Sequence, residues 1–171
     1  MTMTQVPTTL CYTDGKPSSL GFVAEKECFT DPRIVYRECF KPYLDPLEYS
    51  QARGENSSVV PKSHEEVRSC FRDFLQMLCS YIEEHLEDKI SHTPWRNAKV
   101  EYVFSVPAKW AACDVARDFE KLVHEAGFGS AGSRHCVSVG RIDAEAVAVQ
   151  TFKAHSASYV VSCTHIHARW L

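Results

Sequence analysis

Val100-Glu101-Tyr102-Val103-Phe104-Ser105-Val106-Pro107-Ala108-Lys109-Trp110 is the stretch on which the fold class turns. Its first seven residues are mostly β-branched and aromatic, the composition of a largely buried strand. Pro107 ends that strand, because proline has no amide to give a sheet ladder. Between Trp110 and Ala126, Val115, Phe119, Leu122, Val123 and Ala126 recur at helical spacing, and Gly127 suits the C-terminal cap. Cys136-Val137-Ser138-Val139 predicts another short strand. Asp143 to Lys153 has a helical tendency, and Ala157 to Cys163 predicts a last strand. Strands alternating with helices imply a largely parallel sheet in this half, and an α/β class for the chain.

Upstream lies a long helix. Ser63-His64-Glu65-Glu66 fits a capping box, in which the Ser63 hydroxyl takes the Glu66 amide and Glu66 reaches back. Val67, Phe71, Phe74, Leu78, Ile82 and Leu86 then line one face, with Arg68, Arg72, Asp73, Glu83 and Glu84 opposite. The helix is expected over 64–90 and must end before Pro94. The first sixty-one residues carry six prolines, the last of them Pro61, and look irregular, with turns at Asp14-Gly15 and Arg53-Gly54. Short β-like runs are expected at Thr8–Tyr12, Gly21–Ala24 and Arg33–Tyr36, and an exposed loop at Ser50–Ser58.

A formal charge of −3, with no run of five basic residues, gives no reason to expect nucleic acid or an anionic membrane. No segment approaches the eighteen apolar residues of a bilayer span. Met1 to Leu10 is polar and has neither a basic n-region nor an apolar h-region, so no secretory signal is expected there. The eight cysteines are therefore expected as reduced thiols, several of them in the core, and the compartment as cytoplasmic.

The order of these parts resembles the actin-like ATPase domain of the seventy-kilodalton heat-shock chaperones, most of all their divergent fungal and animal relatives. Val6-Pro7-Thr8-Thr9-Leu10 looks like the family's strand after its first phosphate loop. Phe104-Ser105-Val106-Pro107-Ala108-Lys109-Trp110 is similar to its Ser-Val-Pro-Ala-x-Trp strand end, and Ile142 to Val149 resembles its Glu-Pro-Glu-Ala-Ala-Ala-Val segment. The strand from Ser158 to Cys163 sits where a second phosphate motif would start. The resemblance implies a partial actin-like (ribonuclease-H-like) lobe over 1–163, followed by an unrelated tail over 164–171. Its mixed sheet would hold the strands near 8–12, 100–106, 136–139 and 158–163, with helices near 64–90, 111–126 and 143–155 packed on it.

The same resemblance implies ATP and Mg²⁺ as cofactors of the parent family and phosphoryl transfer to water as its chemistry, which needs amides around the phosphates, a metal near carboxylates and a cation. Lys41 matches the family's phosphate-contacting lysine. Asp143 falls at the glutamate that arranges metal-bound water, although it is one methylene shorter and Ala144 replaces the following proline. The departures bear directly on activity. Neither glycine-rich phosphate loop of the family has a counterpart in this sequence. Val115 stands where an arginine relays nucleotide state, with Arg117 off register. With seven glycines and Gly127-Phe128-Gly129 as the one Gly-x-Gly, no substitute loop is evident. The chain is expected not to hydrolyse ATP, and an isolated lobe is expected to expose apolar sheet and associate.

Other readings stay open. Cys163, His165 and His167 at i, i+2, i+4 would share one face of a strand and seed a zinc site, but no second ligand pair has metal spacing, which favours an unstructured tail. His135-Cys136, and Cys113 beside Asp114, offer thiol and base types without triad geometry. A stand-alone protein-interaction module with a protein partner or client is the stronger rival.

Overall fold

The computed structural model describes residues 6–54, 60–87, 94–107, 109–110, 114–130, 135–141, 158–162 and 166–167. The chain is a mixed α/β protein of two compact units, Met1–Leu78 with His165–Leu171, and Cys79–Thr164. The expected long helix, α3, is present as His64–Glu87, and the division between the units falls inside it.

The first unit forms around strand β2 (Thr9–Thr13). It is the middle of a three-stranded antiparallel sheet, between β3 (Lys16–Leu20) and β4 (Val35–Glu38). Asp14-Gly15 joins β2 to β3 with φ of 52° and 76°. Two positive φ values make the type I′ turn, whose twist matches that of the strands it connects. Helix α1 (Gly21–Glu27) covers one face, with the Thr9 hydroxyl donating to the Gly21 carbonyl at 2.9 Å and the Cys11 thiol to the Ala24 carbonyl at 3.3 Å. The β-run expected at Gly21–Ala24 is therefore helix. Leu20 is extended, Gly21 turns the chain at φ 60°, and Gly21 and Ala24, three apart, then bury together.

Tyr12 and Arg37 carry the sheet's contacts to α3. The Tyr12 hydroxyl donates to Asp73 at 2.9 Å, and the Arg37 guanidinium meets Glu66 at 3.0 Å. Asp73 was expected on the solvent face; its bond to Tyr12 draws it against the sheet. Ser63 caps α3 as its type predicts, its hydroxyl accepting the Glu66 amide at 3.1 Å, while the Glu66 carboxylate accepts the Lys62 amide at 2.7 Å. Val67, Phe71, Phe74 and Leu78 are buried along the predicted stripe, and Cys70, Leu75 and Cys79 widen it. Phe40 closes this core edge-on to Phe71 and Phe74, at centroid distances of 5.9 and 6.0 Å.

The loop expected at Ser50–Ser58 begins as helix. Asp45 takes the Leu47 amide at 3.0 Å and Pro46 opens α2 (Pro46–Gly54), so this start signal carries the chain through Ser50 and on to Gly54. Residues 55–59 lie outside the described residues. A short parallel pair, β1 (Val6–Pro7) with β8 (Ile166–His167), completes the unit. Ile166 and His167 thus pair as strand inside the expected unstructured tail.

In the second unit, β5 (Lys99–Val106) lies between β6 (His135–Arg141) and β7 (Ser158–Ser162), parallel to both. Val100, Tyr102, Phe104 and Val106 are buried, and Phe104 packs edge-on against Phe119 of α4 (Val115–Glu125). Phe128 meets both Tyr102 and Phe104 at 5.0 Å. Glu101 alternates with these residues and accepts the Ser138 hydroxyl at 2.8 Å. The helix expected over 143–155 lies outside the described residues.

The strand expected at 8–12 is present but does not join this sheet; it pairs with β3 and β4 instead. A two-residue turn places β3 beside it, and local closure loses less entropy than pairing with a strand some ninety residues away.

A Cβ at Gly21 would stand 2.7 Å from Val6 Cγ1, at a positive φ. Gly21→Ala is expected to destabilise the fold by about 2 kcal/mol or more in urea titration. Val6→Ala placed on top should recover part of that loss, leaving the dihedral strain.

Candidate functional site

Lys41, the cation singled out from the sequence, sits in the first unit between Phe40 and a short 3₁₀ turn, Pro42–Leu44. Phe40 is fully buried in the aromatic core, which draws the lysine stem inward. The turn is tied down beside it: the Lys41 carbonyl accepts the Leu44 amide at 3.2 Å, and the His64 imidazole lies 3.1 Å from the Leu44 carbonyl through Nε2. Tyr49 stacks edge-on against the same imidazole and donates its hydroxyl to the Pro61 carbonyl at 3.2 Å. Burial lowers the Lys41 ammonium from its ordinary value to about 8. A cation held in this way would be stabilised by a bound anion, the property a phosphate-contacting lysine needs. Asp143 lies outside the described residues, so the pairing of these two groups rests on the sequence.

The Gly127-Phe128-Gly129 run closes a helix. After α4 the Gly127 amide bonds the His124 carbonyl at 3.0 Å and the Phe128 amide the Val123 carbonyl at 3.3 Å, the two bonds of a Schellman cap. Gly127 and Gly129 have φ of 101° and 80°, and the Ser130 amide bonds back to the Gly127 carbonyl at 3.2 Å. Phosphate loops present free amides at the start of a helix, where the dipole is positive. Here the amides of residues 127, 128 and 130 are already bonded, at the negative end.

His135 and Cys136 do not form a catalytic pair. As neighbours on β6 they point to opposite faces: His135 is buried, with Nε2 3.0 Å from the Trp95 carbonyl, while Cys136 is exposed with its thiol toward the Val100 carbonyl. Cys113, Cys163 and His165 lie outside the described residues. Arg117 is surface-exposed and paired with Asp114 at 3.0 Å. Among the described residues no cluster of three metal-ligating side chains occurs, and no helix is long and apolar enough to cross a membrane. Sequence reasoning missed the polar group formed by Tyr12, Cys70 and Asp73 where β2 meets α3. Burial, together with the neighbouring Cys70 and Asp73, pushes the Tyr12 phenol up and keeps it a donor. A tyrosine two residues from the apolar Leu10, on the same strand face, was the available signal.

No family model, no curated protein and no solved structure matches the chain.

The lowered Lys41 value has a defined sign for stability. Below about 8 both folded and unfolded states are charged and burial opposes folding in full. Between about 8 and the ordinary 10.5 the unfolded chain holds the extra proton, so stability rises with pH across that window. Competitive acylation followed by peptide mapping should show Lys41 half-reactive near pH 8. A midpoint shared with the surface lysines would mean that the ammonium is fully solvated.

Proposed function

We propose that this chain is part of an actin-like nucleotide-binding lobe of the heat-shock-70 type that has no ATPase activity of its own. The observation that carries the reading is the position of Val100–Val106, a central strand parallel to both neighbours that runs into the Pro107 corner and is followed by an amphipathic helix. This is the arrangement the Ser105-Val106-Pro107-Ala108 resemblance implies, and parallel α/β sheets bind ligands at the carboxyl ends of their strands. Lys41 is the residue assigned to phosphate contact and Asp143 the one assigned to metal-bound water. The absence of activity follows from the amides: the one Gly-x-Gly of the sequence caps α4 and offers no cradle for β- and γ-phosphates. Without surrounding amides, one cation and one carboxylate supply about 1.5–3 kcal/mol for each charged hydrogen bond they make, whereas micromolar affinity needs roughly 8 kcal/mol.

A second reading, a non-catalytic protein-interaction module, is favoured by a separate feature. Phe29 is 90% exposed, and Phe22 and Val23 on α1 are 48% and 54% exposed. Aromatic side chains left in water on one helix and its following turn are the residue types that anchor protein interfaces.

Titration calorimetry with Mg-ATP is expected to give no micromolar binding, and Lys41→Ala no change. A micromolar dissociation constant abolished by Lys41→Ala would show a working nucleotide site and remove the claim of inactivity. Pull-down by the wild type but not by a Phe22→Ser/Phe29→Ser variant, independent of nucleotide, would favour the interaction reading.

A further inference from the structure

Among the described cysteines, Cys11 and Cys28 converge on one atom. The Ala24 carbonyl oxygen accepts the Cys11 thiol at 3.3 Å and the Cys28 amide at 3.0 Å. The shared oxygen makes the Cys11 sulfur and the Cys28 backbone close neighbours, and the Cys28 thiol is near enough to act on the Cys11 thiol electrostatically. Cys11 is fully buried at the middle of β2. Cys28, the C-terminal cap of α1, is half-exposed. Its thiol makes only a weak bond, at 3.2 Å, to the Glu25 carbonyl of the preceding turn, and a rotation about its side chain releases it. The other described thiols have different surroundings: Cys70 beside Tyr12, Cys79 beside Glu83, and Cys136 against Val100.

We propose that Cys11 and Cys28 are a reversible redox pair, which small-molecule disulfides of the oxidised-glutathione class close into a bond pinning the end of α1 to the centre of the sheet. The roles follow from exposure. Cys28 is within reach of solvent and reacts first: its thiolate attacks one sulfur of R–S–S–R, that S–S bond breaks, and one R–S⁻ leaves and takes a proton from water. Cys11 then loses its proton to solvent and attacks the Cys28 sulfur, displacing the second R–S⁻, which is protonated in turn. Two protein thiols and one R–S–S–R become one protein disulfide and two R–SH. Burial raises the Cys11 thiol, and the nearby Cys28 adds to the rise, so Cys11 acts only once its target is bound beside it. Closing the pair removes freedom from the unfolded chain over the segment between the two residues, which favours the folded unit.

The test is a disulfide map of the full chain treated with oxidised glutathione, alkylated and cut with trypsin without reductant. Lys16 precedes Pro17 and resists cleavage, so the expected product joins Met1–Lys26 to Glu27–Arg33. Cys28→Ser, at a half-exposed helix end, should abolish it. Cys11→Ala should leave Cys28 as the mixed disulfide, raised at least ~10-fold over wild type. The oxidised wild type should melt ~5 °C or more higher, reversibly with dithiothreitol. Should Cys11→Ala fail to fold, the wild-type map and Cys28→Ser still decide. Wild-type Cys28 that remains a mixed disulfide, or that links to the half-exposed Cys39, overturns the proposal.

Discussion

The first unit depends on a five-residue strand that is covered on both faces. Thr9 and Cys11 are bonded to carbonyls of α1, while Tyr12, on the opposite face, is bonded to α3. The backbone of β2 is paired along both edges as well. A strand enclosed in this way must satisfy every polar group it takes in, because each one left unpaired in a dry interior costs about 1–3 kcal/mol. That constraint accounts for the unusual side chains of β2. A threonine, a cysteine and a tyrosine stand where an ordinary central strand would carry valine and isoleucine, and each finds an acceptor on a helix.

The two units differ in how openly the sequence shows them. The long helix was legible because its apolar positions repeat at 3.6 and Ser63 marks its start. The parallel strands 99–106 and 135–141 were legible from composition and from the proline and glycine that bound the helix between them. The α1 helix was not, since Gly21-Phe22-Val23-Ala24 has β-like composition and becomes helical only because Gly21 adopts a left-handed backbone. Nor was the sheet to which β2 belongs. Pairing depends on which partner arrives first, and a two-residue turn outweighed the expected long-range match. For the candidate site, Lys41 was visible as a residue, but its burial came from the neighbouring Phe40 packing edge-on against Phe71 and Phe74, a tertiary event with no local signature.

Glycine chemistry bears directly on the proposed reading. The proposed actin-like reading rests on the strand and corner of the second unit, while the glycines that follow are committed to stopping a helix. A Cβ at Gly129 would stand 3.1 Å from Val137, so that residue also makes room for β6. One dipeptide spacing can thus serve anion binding or helix termination, and which of the two it serves is set by whether the helix begins or ends there.

The Asp14-Gly15 turn has a kinetic consequence. A hairpin closed by two residues already suited to positive φ forms within roughly 1–10 μs, before a chain of this length can bring distant segments together. The β2–β3 ribbon is then the earliest surface on which anything else in the unit can assemble, and α1, which follows it directly, is the next element within reach. Closing this ribbon costs less loop entropy than bringing β4 or α3 to it, since both lie further along the chain. Two exposed residues that make no core contact thus set which ribbon can close first.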